Sequence, residues 1–143
     1  NRFIVQSMIN HPLTIYGEGN QIRGFLPLQD SIQCLKLVVD NPPNIGEYRV
    51  INQIQDTYKI VDLAKLVQEI AQEFDLSPKI EHIKNPRIER ENHEYNVKHG
   101  QLIQLGYKPT IDMKSEIRKT FEILLPYKNR IKKEVILPIT KWN

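Results

Sequence analysis

The segment Ile60 to Phe74 limits what this chain can become more than any other stretch. Ile60, Leu63, Ala64, Val67, Ile70, Ala71 and Phe74 recur at the i, i+3, i+4, i+7 spacing of a helix with one apolar face, while Asp62, Lys65, Glu69 and Glu73 lie between them. A helix divided in this way must lay its apolar face on a second layer. The rest of the chain therefore has to supply elements that receive it.

Short elements on either side meet that demand. Arg2 to Ile9 reads as a helix with Phe3, Ile4 and Met8 on one side, stopped at His11-Pro12. Leu13 to Tyr16 and Ile22 to Leu28 read as two strands of a hairpin, joined by a turn in which Gly17 and Gly19 supply positive φ. Asp30 stands where an N-cap belongs, ahead of a helix that stripes Ile32, Leu35, Val38 and Val39 and ends at Asn41-Pro42-Pro43. Glu47 to Asn52 alternates as a strand opened by Gly46, and Lys79 to Ile83 reads as another short strand.

Asn85 to Asn96 is polar and aperiodic, which predicts a surface loop. Asn96 can cap a short helix closed by Gly106, and Asp112 a further helix ending near Pro126 or Lys128. The tail through Trp142 is expected to pack on the body. With no internal repeat and no linker, residues 1–143 read as a single α/β domain, or α+β in the isolated fragment. The helix at Arg2 and the strand at Glu47 look like elements that need partners from elsewhere. A chain that opens without Met, already in helical pattern, is expected to begin inside something longer.

Composition narrows the function classes. A 40% hydrophobic, 26% charged chain of 143 residues can bury a core, so wholesale disorder is excluded. The net charge of +3 is spread along the chain, unlike the concentrated patch of a nucleic-acid binder, and the Lys128 to Lys133 cluster reads as a solvated helix end. Cys34 is the one cysteine, so no internal disulfide forms, and among Ile32, Leu35 and Val38 it reads as a small core residue. No apolar run approaches the ~20 residues that span a bilayer, and no signal peptide is seen. The expectation is a soluble cytoplasmic protein with neither a nucleic-acid nor a membrane partner.

Two constellations carry chemistry. Arg23, on a strand beside the glycine turn, can present a bidentate fork to a phosphate; taken alone it reads rather as an exposed strand arginine. Tyr16 can stack on a base or sit half-buried in the core. Gly17 and Gly19 form no dinucleotide fingerprint, since no G-x-G-x-x-G lies between a strand and a helix. The second constellation is Asn85-Pro86-Arg87-Ile88-Glu89 with His93, Tyr95-Asn96 and Lys98-His99. His93 and His99, six apart and without cysteine or carboxylate at ligand spacing, do not make a metal site.

Tyr-Gly-x-Gly-x-Gln-x-Arg-Gly, then Asp30 heading a helix, then Asn-Pro-Arg, then a short helix ending in Leu105-Gly106, resembles the C-terminal half of the extended short-chain dehydrogenase/reductases that remodel nucleotide sugars. Asn1-Arg2-Phe3, His11 to Thr14, Gln21 to Gly24 and the Asn85 to His99 wording resemble, more narrowly, the members that join UDP-glucose and sulfite into a sulfosugar donor. The resemblance runs from Asn1 to about Thr110. It implies that Arg23 and Arg87 clamp the diphosphate of a UDP-sugar, that Tyr16 lines the uracil pocket, and that Gln21 and His93 lie near the base, ribose or sugar. It also implies an NAD-binding Rossmann domain N-terminal to this chain and a homodimeric whole protein. A 4-epimerase, a 4,6-dehydratase and a non-catalytic binding domain remain as alternatives. The family's Gly-rich loop and Tyr-x-x-x-Lys pair have no match here, so no catalytic or cofactor-binding residue is expected in this chain. Lys59 stands where the family has a small hydroxyl cap before the long helix.

Overall fold

A computed structural model describes residues 1–85, 97 and 100–136. In order these form α1 (Arg2–Met8), β1 (Leu13–Tyr16), β2 (Ile22–Phe25), α2 (Leu28–Asp40), β3 (Asp56–Lys59), α3 (Ile60–Ala71), β4 (Ile80–Ile83), α4 (Gly100–Gln104) and α5 (Met113–Leu124). A 3-10 turn, Gln72–Phe74, extends α3, and two more follow α5 at Leu125–Arg130 and Lys133–Val135.

The long amphipathic helix organises the core as its pattern requires. Ala64, Val67, Ile70 and Ala71 of α3 meet Phe3, Ile4 and Met8 of α1, Leu13 and Ile15 of β1, and Ile117 and Phe121 of α5. Phe74 stacks on Phe121 with ring centroids 5.2 Å apart. The first helix thus buries its apolar side inside this chain, where the sequence suggested a partner from elsewhere. Asn10, at φ 56°, turns the chain out of α1 before Pro12 is reached.

The strands pair differently from the expected hairpin. β1 lies parallel to β4, from Leu13↔Ile80 to Tyr16↔Ile83, and β2 lies antiparallel to β3, from Ile22↔Lys59 to Phe25↔Asp56. The glycine turn is therefore a corner between two sheets. β1 is fully enclosed on its apolar side, and α3 delivers β4 to one of its edges. The other edge is closed by α1: Gln6 Nε2 donates to Thr14 Oγ1 (2.8 Å), Thr14 N–H to Gln6 Oε1 (3.2 Å) and Arg2 Nη2 to Thr14 O (2.8 Å). A helix side chain satisfies the backbone that a hairpin partner would have taken.

Two further expectations are corrected. Residues 47–52 form no strand, and the strand comes later, at β3, whose Asp-Thr-Tyr-Lys sequence has no apolar alternation. Tyr48 and Val50 are exposed, so the alternation meets no sheet edge among the described residues. Most of the α2 stripe faces outward as well: Ile32, Leu35 and Val39 are 60%, 56% and 76% exposed, joined by Leu28 at 71%, while Val38 is half-buried. The side of α2 that packs carries Asp30 and Cys34, and Cys34 joins Leu102 and Tyr107 in a second small core. The tail is described as far as Ile136, which is buried; Asn96, Trp142 and the rest of the 86–96 loop lie outside the described residues.

Candidate functional site

The corner between β1 and β2 is built to hold its shape. Gly17 and Gly19 adopt φ of 60° and 75°. A Cβ at Gly19 would come 2.8 Å from Ile15 Cγ2 and 3.0 Å from Val61 Cβ, so the side of α3 can approach only a glycine. Lys59 provides no side-chain cap for α3. The corner does so instead: Ile60 N–H donates to Gln21 O (3.2 Å) and Val61 N–H to Gly19 O (3.0 Å). From the other side, Gly17 N–H donates to Ile83 O (2.9 Å), and His82 Nδ1 lies 2.7 Å from Gly17 O.

Three of the sequence-predicted residues lie at or next to this corner, and two of them, Tyr16 and Gln21, are in contact. Tyr16 is half-buried at the end of β1, with the Arg2 guanidinium 5.5 Å from its ring centroid. Gln21 Nε2 reaches back to Tyr16 O (3.3 Å). Arg23 is exposed in the middle of β2, opposite Tyr58, and Nη1 donates to Ile22 O (2.8 Å). Phe25 meets Tyr58 edge-on with ring centroids 6.0 Å apart, and burial followed by the nearby Asp56 pushes the Tyr58 phenol up. A guanidinium held by one backbone bond on a two-stranded ladder keeps most of its fork available to a ligand. Arg87 and His93 lie outside the described residues.

Asp30 does not cap α2. Pro27 precedes the helix, and Asp30 sits inside its first turn, fully buried, accepting from Tyr107 Oη (3.1 Å), from Thr110 N–H (3.2 Å) and from the Thr110 hydroxyl. Neither this role nor that of His82 carried a signal in the sequence, because each depends on a partner at least 65 residues away. Asp112 and Gly106 act as expected: Asp112 Oδ1 accepts from Ser115 N–H (2.9 Å), and Gly106 closes α4 at φ 95°. Among the described residues, no group of three His, Cys, Asp or Glu side chains is placed to hold a metal ion, and no helix is long and apolar enough to cross a membrane.

No family model matches the chain. Its sequence is 43% identical over 144 residues to UDP-sulfoquinovose synthase of Sulfolobus acidocaldarius, covering 99% of this chain and 37% of that protein. It is 40% identical over 142 residues to the chloroplastic UDP-sulfoquinovose synthase of Spinacia oleracea, covering 99% of this chain and 30% of that protein. The chain corresponds to part of an extended short-chain dehydrogenase/reductase. In structure it is similar to UDP-glucuronic acid 4-epimerase of Bacillus cereus, solved with UDP-glucuronic acid and NAD, at a TM-score of 0.67 and 25% identity over 90% of this chain and 38% of the epimerase. The fold is that of a portion of a Rossmann-type extended short-chain dehydrogenase/reductase. The chain spans about a third of the length of the relatives it matches.

Proposed function

We propose that this chain is the substrate-side portion of an NAD-dependent nucleotide-sugar enzyme of the UDP-sulfoquinovose synthase type, acting on UDP-glucose and sulfite. The observation that carries the proposal is the match to two UDP-sulfoquinovose synthases at 40% and 43% identity over 99% of the chain. The braced corner gives it a physical basis. Arg23 and Arg87 take the diphosphate from two segments, Tyr16 lines the uracil pocket, and Gln21 and His93 complete the base, ribose or sugar contacts. Two guanidinium forks on one dianion orient the sugar as well as bind it, which is catalysis by positioning.

The chain contains no glycine-rich strand-to-helix turn of the dinucleotide type, so on this reading NAD is held by an N-terminal Rossmann domain outside it. NAD supplies hydride acceptance there; the residues of this chain bind and orient. The outward stripe of α2 supports a second domain, since a row of aliphatic side chains is what a neighbouring domain covers. A homodimer and a cytoplasmic location complete the proposal, the latter alongside a spinach relative that is chloroplastic.

Turnover of UDP-glucose by the full-length protein, with and without sulfite, tests the assignment. Sulfite-dependent formation of a sulfonated UDP-sugar is expected. Sulfite-independent conversion to UDP-galactose or to a dehydrated sugar would assign a 4-epimerase or a 4,6-dehydratase instead, and UDP binding without turnover a non-catalytic domain.

A further inference from the structure

Asp30 takes no part in the proposed ligand contacts, yet its side chain is completely enclosed. Every neighbour it bonds to is a donor: the Tyr107 phenol, the Thr110 amide and the Thr110 hydroxyl. No lysine or arginine among the described residues forms an ion pair with it. Enclosing a carboxyl group is unfavourable unless such donors surround it, so this site is specified rather than incidental. Burial first, and then the bond to Asp30, pushes the Tyr107 phenol far up, which keeps it a donor.

The consequences reach β2. Gln33, one turn further along α2, exchanges two hydrogen bonds with the backbone of Lys108, at 3.1 and 3.0 Å. Gln55 Nε2 donates to Ile111 O (2.8 Å), and Gln55 N–H donates to Phe25 O (3.0 Å). The connector 107–112 thus fixes both the start of α2 and the end of the β2–β3 ladder. Between them lie only Leu26, packed against the Cys34–Leu102–Tyr107 cluster, and Pro27, with φ at −56°. A two-stranded ladder of four residue pairs has little stability of its own and takes its position from what anchors its ends. One anchor is the α3 N-terminus at Gln21. The other is the corner held by Asp30.

We propose that Asp30 is a positioning residue: by docking the start of α2 on the 107–112 connector, it sets the strand from which Arg23 presents its guanidinium to a nucleoside diphosphate. This rests on the proposed role of Arg23, and a double-mutant cycle separates the two.

UDP is titrated calorimetrically into the full-length protein and its Arg23→Ala, Asp30→Asn and Arg23→Ala/Asp30→Asn variants. Donors face both carboxylate oxygens, and asparagine keeps an acceptor toward only one of the two positions, so Asp30→Asn is expected to weaken UDP about fivefold. The double variant should bind no more weakly than Arg23→Ala alone, because Asp30 acts through Arg23. Thr110→Ser, which keeps both donors, should bind like the parent. Asp30→Asn that melts earlier but binds UDP like the parent overturns the proposal. So does a double variant in which the two losses multiply. Parental affinity in Arg23→Ala alone removes the Arg23 assignment, and this inference with it. Should Asp30→Asn fail to fold, Tyr107→Phe replaces it in the cycle, with an expected loss of about twofold that disappears in the Arg23→Ala background.

Discussion

Val61 N–H donates to Gly19 O over 3.0 Å, so the first turn of α3, the helix that organises the core, is capped by the turn that precedes the proposed ligand strand. The two glycines of that turn should therefore respond differently to substitution. At Gly17 a Cβ meets nothing within 4 Å, and Gly17→Ala should cost only the left-handed backbone, about 1 kcal/mol. Gly19→Ala adds contacts of 2.8 Å and 3.0 Å to Ile15 and Val61, and it should lose the cap as well. Urea unfolding should rank Gly19→Ala clearly below Gly17→Ala. Equal midpoints would show that α3 does not depend on this approach.

The core around α3 offers a second measurement. Phe121 is fully buried and stacked on Phe74, so Phe121→Ala should destabilise the chain by about 3–5 kcal/mol. Ile70→Val, at an equally buried position, should cost about 1 kcal/mol. Both are read from urea midpoints at unchanged m-value, and a Phe121→Ala loss as small as that of Ile70→Val would mean that the site collapses around the cavity.

What the sequence made legible follows the range of the interactions involved. The α3 face, the Asp112 cap, the Gly106 terminator and the positive φ of Gly17 and Gly19 are decided by neighbours within a few residues. Strand pairing is not. β1 and β2 are adjacent in sequence, yet each pairs across more than 30 residues, because α3 carries β4 to the buried strand. Asp30 misled for a related reason: one turn into a helix, an aspartate looks like a cap until the Tyr107–Thr110 segment arrives to take it. Of the proposed contact residues, Tyr16 and Gln21 touch at the corner and Arg23 follows two residues along β2, while Arg87 and His93 lie beyond the described residues.

Acid should weaken the α3–α5 contact in a defined direction. Arg118 reaches Glu73 through Nε (2.6 Å) and Nη2 (2.8 Å), and this fork holds the Glu73 carboxyl below its usual range. The Ser115 amide and hydroxyl do the same for Asp112. A carboxyl with a lower pKa folded than unfolded stabilises above its unfolded value, and that contribution fades as pH falls through the folded one. Arg118→Ala should therefore lower the Tm near neutrality but lose less on acidification than the parent, with the difference shrinking in high salt. Parallel Tm–pH curves for the two proteins would remove the fork from the stability of the fold.

The outward face of α2 gives the prediction that bears most on the rest of the protein. Leu28, Ile32, Leu35 and Val39 follow one another along the helix surface, and the side chain of each stays more than half exposed among the described residues. In residues 1–143 alone, Leu35→Lys with Val39→Lys should leave the Tm within a degree or two, because neither residue contributes to the core. The pair should also reduce concentration-dependent self-association in sedimentation velocity, since apolar stripes in water associate. In the full-length protein the same substitutions should lower the Tm and expose the domain junction to limited proteolysis, because two ammonium groups would be forced against the covering domain. The contrast is the point of the test. A stripe that tolerates lysine in both contexts is covered by nothing, and the proposed two-domain arrangement would then have to bury a different face of this fold.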